Sequence, residues 1–159
     1  MSSKSHKAAL NHLRELYLTD HRKRFPSLPE YARTSPRYSD RTANGLTQCV
    51  IDYIRLNGGQ AERINSTGRY LDKTKTFEDV TGKVRTIGSG QWIPTSGVKG
   101  TADVSATIRG RSVKIEVKMK DKQSDDQKRY QQAVEAAGGV YLIVRSFTEF
   151  LEWYNQFVK

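Results

Sequence analysis

Two carboxylates and a lysine lie on two short alternating segments in the second half of the chain. Asp103 alternates with apolar residues in the first segment, and Glu116 and Lys118 do so in the second. If the segments form a hairpin, these three side chains share one polar face. Carboxylate oxygens suit Mg²⁺ or Mn²⁺, and a neighbouring lysine can stabilise charge that develops on a phosphate. We therefore expect a metal centre of Asp103, Glu116 and the Val117 carbonyl; the alternative is a solvated strand face with incidental salt bridges.

The expected turn between these segments fixes which side chains face each other. Gly110 and Arg111 suit a two-residue type II′ loop, which has glycine at its first central position. With that loop, Asp103 lies opposite Lys118 and diagonal to Glu116, about 7–8 Å away at the backbone. A shift by one residue would turn the two carboxylates to opposite faces, so the apolar alternation selects this register.

The same residues carry a resemblance to a nuclease family. Gly100-Thr101-Ala102-Asp103, followed by Glu116-Val117-Lys118, resembles the metal-binding core of the PD-(D/E)XK nuclease superfamily. The run over 124–146 is similar to the virus-type replication-repair nuclease (VRR-NUC) domain, and the similarity covers about residues 43–147. The resemblance implies a restriction-endonuclease-like core and a Mg²⁺- or Mn²⁺-dependent endonuclease that hydrolyses DNA in repair or recombination, with Lys118 as the catalytic lysine. Members of the superfamily include homodimeric junction-resolving enzymes, which implies branched DNA as a substrate and a possible homodimer.

Two polar positions, Gln127 and Glu62, have two interpretations each. Gln127 matches a glutamine that related domains carry near the scissile phosphate, but with Ser124 it also forms a capping box at a helix start. The superfamily often supplies another acid from its first helix, where this chain has Asn44 and Gln48. Glu62 could replace that acid or could be an ordinary surface residue.

The charge of the chain indicates a polyanionic partner. It has 159 residues, 27 Lys and Arg against 17 Asp and Glu, a formal charge of +10 and a pI near 9.8. Basic side chains that neutralise phosphates release counterions and so favour nucleic-acid binding. The expected DNA contacts are Arg22, Lys23, Arg24 and Arg37 in a basic arm, Lys114 and Lys120 on the hairpin, and Tyr130 and Arg145 beyond it. A non-catalytic nucleic-acid-binding module on the same fold is the alternative function.

The elements that must position these residues follow from periodicity and turn signals. The sequence predicts an N-terminal helix to about residue 18 and a proline-rich basic arm over 19–41, whose Tyr31 and Tyr38 could stack on bases or which could lie on the domain as a linker. It then predicts an α/β nuclease-like domain over 43–159, separate from residues 1–42, with a mixed central sheet between helices. The expected elements are helices over 43–57, 124–137 and 147–157 and strands over 60–64, 70–77, 83–87, 91–93, 101–109, 112–120 and 140–144.

The location of the chain is predicted from what its sequence lacks. Its apolar stretches are shorter than the roughly 18 residues that a membrane span requires, and no apolar segment follows the polar N-terminus as in a signal peptide. We therefore expect a cytoplasmic protein without a membrane partner. The single cysteine, Cys49, lies among apolar residues and is expected in the core.

Overall fold

The chain in this computed structural model, described over residues 3–64, 68–93 and 97–159, forms four α-helices and eight strands. The helices are α1 (Ser3–Arg24), α2 (Ala43–Leu56), α3 (Asp125–Ala136) and α4 (Phe147–Phe157). The strands are β1 (Gln60–Arg63), β2 (Arg69–Asp72), β3 (Lys75–Glu78), β4 (Val84–Ile87), β5 (Gly90–Ile93), β6 (Val104–Ile108), β7 (Arg111–Val117) and β8 (Val140–Val144). The chain divides into two compact units, one formed by the residues up to 64 and from 100 onward, the other by 65–99.

A mixed four-stranded sheet is the centre of the first unit, so the expected mixed α/β class is confirmed. Its order is β1-β6-β7-β8, with antiparallel pairs except for the parallel pair of β7 and β8. Parallel neighbours need a crossover connection, and α3 provides it between β7 and β8. The helices α2, α3 and α4 lie within two residues of their expected bounds.

The β6–β7 hairpin has a different turn from the expected one. Its loop is Arg109-Gly110, with φ of 52° and 77°, and a positive φ at both central positions defines a type I′ turn. Ile108 therefore pairs with Arg111, and the register differs by two residues from the prediction. Because side chains alternate with a period of two, the apolar face is unchanged.

The apolar face of the sheet packs against α2 and α4, and α1 packs on these two helices. Leu13 of α1, Ile54 of α2 and Phe150 of α4 are fully buried in one cluster with Ile115 of the sheet. Cys49 lies in the same cluster, as expected. The N-terminal helix is therefore part of the sheet's own core, whereas the sequence suggested a boundary after residue 42.

The N-terminal segment is more ordered than the predicted extended arm. The first helix continues to Arg24, so the three expected DNA contacts at 22–24 lie on a helix and not on an extended chain. Tyr38 is 4% exposed and its hydroxyl donates to Asp52, which removes it as a base-stacking residue. Tyr31 remains 91% exposed. Asp40 is buried and accepts the Phe147 backbone N–H, which fixes the end of the arm to α4.

The second unit consists of two separate two-stranded antiparallel sheets. One pairs β2 with β5, and the other pairs β3 with β4. The prediction of a single strand over 70–77 is wrong, because the chain turns between β2 and β3. The Asp72 carboxylate accepts both the backbone N–H and the hydroxyl of Thr74, which ends the first strand.

No helix in the described part of the chain is long and apolar enough to cross a membrane.

Candidate metal centre

Two carboxylates meet at the end of the β6–β7 pair. Continuing the observed register by one residue from the Val104–Ile115 pair places Asp103 directly opposite Glu116, and not diagonal to it as expected. The backbone N–H of Val117 donates to Asp103 Oδ2 over 2.9 Å, which holds this carboxylate against β7. The observed type I′ turn therefore places the two predicted metal ligands closer together than the turn expected from the sequence would.

The Glu116 carboxylate is buried, with a side chain 3% exposed. Its Oε1 lies 3.1 Å from Nζ of Lys118, and its Oε2 meets no donor in hydrogen-bonding geometry among the described residues. The Tyr141 hydroxyl lies close enough to the carboxylate to lower the pKa of Glu116. Burial first, and then the negative charge of Asp103, raise the pKa of Glu116 above its ordinary value, while Lys118 opposes the rise. A buried carboxylate oxygen without a partner costs free energy that a bound cation would offset.

The backbone N–H and C=O of Val117 point toward the Asp103 side of β7. In an extended strand the N–H and C=O of one residue point to the same edge, and the N–H of Val117 points to Asp103. The Val117 carbonyl therefore faces the Asp103 side of β7, beyond the first residue of β6. The backbone N–H of Lys118 points the other way, to the carbonyl of Val144 on β8. Two carboxylates and one carbonyl oxygen fit the hard-ligand preference of Mg²⁺ or Mn²⁺.

Gln127 has the expected capping role and also contacts Glu116. Its side-chain oxygen accepts the backbone N–H of Ser124 over 3.0 Å, and its backbone N–H donates to the Ser124 hydroxyl, so the capping box at the start of α3 is confirmed. The side-chain nitrogen donates to Oε1 of Glu116. Gln127 therefore connects the first turn of α3 to the buried carboxylate.

Gly100 brings the segment before Asp103 close to the same turn of α3. It has a φ of 77°, and a Cβ placed there would lie 2.6 Å from the backbone nitrogen of Gln127 and closer still to the carbonyl group of Asp126. Only a residue without a side chain permits both this conformation and this approach. The glycine of the motif thus has a structural role in assembling the site.

Tyr141 is a residue of this face that the sequence analysis missed. It pairs with Lys114 in the parallel register of β7 and β8, so it lies on the polar face of the sheet. Burial first, and then the charge of Glu116, raise the pKa of Tyr141 to about 12. Its signal in the sequence was a single tyrosine in the otherwise aliphatic run of β8.

The residues considered for a further acid have other partners. Asn44 Oδ1 accepts from Arg63, and Gln48 donates to Asp52. Glu62 is exposed on β1, as its surface interpretation expected. Over residues 3–64, 68–93 and 97–159, no group of three or more His, Cys, Asp or Glu side chains is arranged to hold a metal. The candidate centre therefore has two carboxylates.

The expected DNA contacts near the site differ in exposure. Lys114 lies on the polar face and donates to the Ser105 hydroxyl over 2.6 Å, while Lys120 is exposed. Tyr130 is half-buried and lies outside the core cluster of the described residues, with its ring edge-on to that of Tyr141 and the ring centroids 6.2 Å apart. Arg145 is exposed beyond the end of β8.

The basic residues of the N-terminal segment lie elsewhere. Arg22 is paired with Glu30 and Arg24 with Asp20, while Lys23 and Arg37 are exposed. Arg22, Lys23 and Arg24 lie on α1, which belongs to the helices on the apolar side of the sheet, opposite the face of Asp103 and Glu116. The structure thus brings together the predicted catalytic and metal residues but does not join the N-terminal cations to them.

Compared with protein-family models and with curated proteins, the chain matches none.

Proposed function

We propose that this chain is a Mg²⁺- or Mn²⁺-dependent nuclease that hydrolyses phosphodiester bonds in DNA. The observation that carries the proposal is the buried Glu116 carboxylate, whose Oε2 lacks a partner among the described residues, placed opposite Asp103 and beside Lys118. A buried carboxylate oxygen that meets no donor needs another partner, and a cation held also by Asp103 would supply it.

Each residue of the site has a defined part in the proposed reaction. Asp103, Glu116 and the Val117 carbonyl would hold the cation, which lowers the pKa of water and neutralises phosphate charge. Lys118, whose ammonium is held by Glu116, stabilises the negative charge that develops on the phosphate oxygens. Gln127 fixes the rotamer of Glu116 through its side-chain nitrogen.

The topology supports a restriction-endonuclease-like core for this proposal. The hairpin that carries both carboxylates is followed by α3 and by a parallel strand on its far edge. The excess of positive charge supports DNA as the partner. We extend the proposal to endonucleolytic cleavage of branched or junction DNA by a homodimer, which rests on the resemblance stated above.

The second candidate is a nucleic-acid-binding module that does not cleave. It is favoured by the two-carboxylate centre, since Asn44 and Gln48 stand where related domains often have an acid and both are engaged by other side chains. Mg²⁺ sites commonly use only one or two protein carboxylates together with substrate phosphate, which favours the catalytic proposal over this alternative.

Cleavage of a panel of labelled single-stranded, duplex, flap and four-way DNA separates the two candidates. We expect cutting with Mg²⁺ or Mn²⁺, none with EDTA, and none in Asp103→Asn or Lys118→Ala. Lys7→Ala removes one exposed positive charge from α1 and is the matched control, with activity like wild type. A wild-type protein that binds the panel but never cuts in either metal would support the binding module instead.

Metal binding in the absence of DNA gives a second readout. We expect Mn²⁺ to raise the melting temperature of the wild type, because a ligand that binds only the folded state stabilises it. Asp103→Asn should abolish this rise, and Lys7→Ala should retain it. An equal rise in Asp103→Asn would place the cation elsewhere and contradict the assigned ligands.

A further inference from the structure

The side of α3 that faces the sheet carries polar side chains, where a helix that covers a sheet ordinarily presents apolar ones. Gln127 contacts Glu116 of β7, and the Tyr130 ring lies edge-on to the Tyr141 ring of β8. Polar groups enclosed between a helix and a sheet are stable when their hydrogen bonds are complete, so an incomplete one needs a further partner. We use the name polar layer for the side chains of Glu116, Gln123, Gln127, Tyr130, Gln131 and Tyr141.

Two buried oxygen atoms of the polar layer meet no partner in hydrogen-bonding geometry within the part of the chain that the structure describes. They are Oε2 of Glu116 and the hydroxyl of Tyr141. Tyr141 pairs with Lys114, which lies two residues before Glu116, so Tyr141 and Glu116 are diagonal neighbours on one face of the sheet. The hydroxyl is close enough to lower the pKa of Glu116. A tyrosine hydroxyl donates and an ionised carboxylate only accepts, so each group can complete the other.

The positions at which Glu116 can accept a partner are only partly occupied. A carboxylate has about four such positions, shared between its two oxygens. Oε1 accepts from the side-chain nitrogen of Gln127 and lies 3.1 Å from the ammonium of Lys118. Oε2 is therefore the oxygen left for the cation that Glu116 would share with Asp103 and for the Tyr141 hydroxyl. With all of these partners in place, the carboxylate has one orientation.

The neighbouring glutamines determine where the single hydroxyl proton of Tyr141 points. The side-chain nitrogen of Gln131 donates to Glu135 over 2.8 Å, so its side-chain oxygen is the one that accepts from the Gln123 nitrogen, also over 2.8 Å. Gln123 therefore presents its amide nitrogen to the polar layer, and it opposes the rise in the pKa of Tyr141, as a donor to the hydroxyl oxygen does. A hydroxyl that accepts from an amide keeps its own proton for an acceptor, and the acceptor beside it is Glu116.

We propose that Tyr141 is a positioning residue of the metal centre, whose hydroxyl donates to Oε2 of Glu116 and holds the carboxylate in the orientation that binds the cation. The inference deepens the proposed nuclease function, on which it rests for the identity of Glu116 as a metal ligand. Hydrogen bonds from a hydroxyl to a carboxylate are of the short, charge-assisted kind. Side chains that orient a metal ligand in this way typically contribute about 10–100-fold to metal affinity.

Binding of Mn²⁺ in the absence of DNA tests the proposal without any need for cleavage. Tyr141→Phe removes only the hydroxyl, and the electron paramagnetic resonance signal of free Mn²⁺ reports how much metal is bound. The variant should have a Kd for Mn²⁺ about 10–100-fold above that of the wild type. Tyr154→Phe removes the hydroxyl of a buried tyrosine on the apolar side of the sheet and is the matched control, with the wild-type Kd. Equal Kd values for the two variants would overturn the proposal.

Melting temperatures with and without metal separate positioning from a role in the fold alone. In EDTA, Tyr141→Phe should melt close to the wild type, because the ring that packs against Tyr130 is kept. At one Mn²⁺ concentration, the rise in melting temperature should be smaller in Tyr141→Phe than in the wild type, since weaker binding stabilises the folded state less. A variant that melts lower than the wild type by the same amount in EDTA and in Mn²⁺ would assign the hydroxyl to the fold and refute the positioning role.

The metal dependence of cleavage gives a further readout. Tyr141→Phe should need about 10–100-fold more Mn²⁺ than the wild type for half-maximal cleavage. At saturating Mn²⁺ its rate should approach that of the wild type, because Asp103 and Lys118 are retained. A rate that stays low at saturating Mn²⁺, with an unchanged half-maximal concentration, would contradict the proposal.

The outcome is separable from that of the nuclease proposal. Mn²⁺ binding that is lost in Asp103→Asn and weakened in Tyr141→Phe, with no cleavage of any DNA, would retain the positioning role and refute the nuclease. Metal-dependent cleavage with the same Mn²⁺ affinity in Tyr141→Phe and in the wild type would retain the nuclease and refute the positioning role.

Discussion

Replacement of Gly100 by alanine tests how the loop before Asp103 is held against α3. The substitution has two costs. The first is a left-handed backbone, because φ is 77° and a residue with a Cβ loses about 1–2 kcal/mol there. The second is a clash with the first turn of α3, where the added Cβ would lie 2.6 Å from the Gln127 nitrogen while ordinary contact begins at 3.4 Å. The carbonyl group of Asp126 would be closer still, at 2.4 Å, so the helix start must retreat by about 1.0 Å, the difference between 3.4 and 2.4 Å.

Gly110→Ala is the matched control, because Gly110 has the same φ of 77° but an added Cβ would meet no described atom within 4 Å. The control should lose only the backbone cost of about 1–2 kcal/mol. Gly100→Ala should lose a further 1–3 kcal/mol or so from overpacking. For a protein of this size, each kcal/mol lowers the melting temperature by about 2–4 °C.

Urea unfolding and DNA cleavage of the two variants give the decisive comparison. Since Gln127 contacts Glu116, displacement of α3 should also reduce cleavage, and a shift near 1 Å can cost about a hundredfold in rate. Gly110→Ala should cut DNA at close to the wild-type rate. The reasoning is refuted if the two variants have equal free energies of unfolding, because the loop would then not lie against the helix.

Two further predictions concern stability. Because the pKa of Glu116 is raised, the folded protein without metal binds a proton more readily than the unfolded chain does. The free energy of unfolding should therefore fall as the pH rises from the ordinary carboxyl range through the pKa of Glu116 in the folded protein. Urea titrations across this range should find that Glu116→Gln lacks this fall, and equal pH slopes for both proteins would contradict the assignment. Leu13→Ala should cost about 2–5 kcal/mol, because Leu13 is fully buried, whereas Lys7→Ala on the exposed side of α1 should change stability by less than about 0.5 kcal/mol. Wild-type stability in Leu13→Ala would mean that α1 is not part of the core.

Elements with a complete local signal were predictable from the sequence. Ser146 and Ser124 cap helices where the hydrophobic pattern changes its period, so α3 and α4 begin where expected. The strand β8 was equally clear, because Gly138 and Gly139 precede a continuous apolar run. In these segments local propensity and tertiary packing favour the same structure.

The hairpin register was not predictable from alternation alone. A shift of two residues leaves every side chain on its own face, so only the turn decides between registers. Glycine at the first central position and glycine at the second are both compatible with the sequence around Gly110, and Arg109 adopts the positive φ that a type I′ turn needs. The identity of the site residues survived this error, because Asp103 and Glu116 share a face in either register.

The buried end of the N-terminal arm had no local signal. Tyr38 and Asp40 lie in an irregular segment, where no periodicity marks a buried side. Their burial depends on Asp52 and Phe147, which are distant in sequence. Local propensity and hydrophobic patterning do not predict contacts between residues this far apart in the sequence.

The place where the second unit leaves the first has a consequence for how the chain can vary. The backbone N–H of Ile64 donates to the carbonyl of Asp103 over 2.8 Å, so the chain departs from the sheet and returns to it at nearly one point. Closing a loop whose ends already meet costs little more when the loop is long than when it is short. The segment over 65–99 is therefore an insertion between the paired strands β1 and β6. Selection can lengthen, shorten or replace this insertion while the hydrogen bond between Ile64 and Asp103 keeps β1 paired with β6.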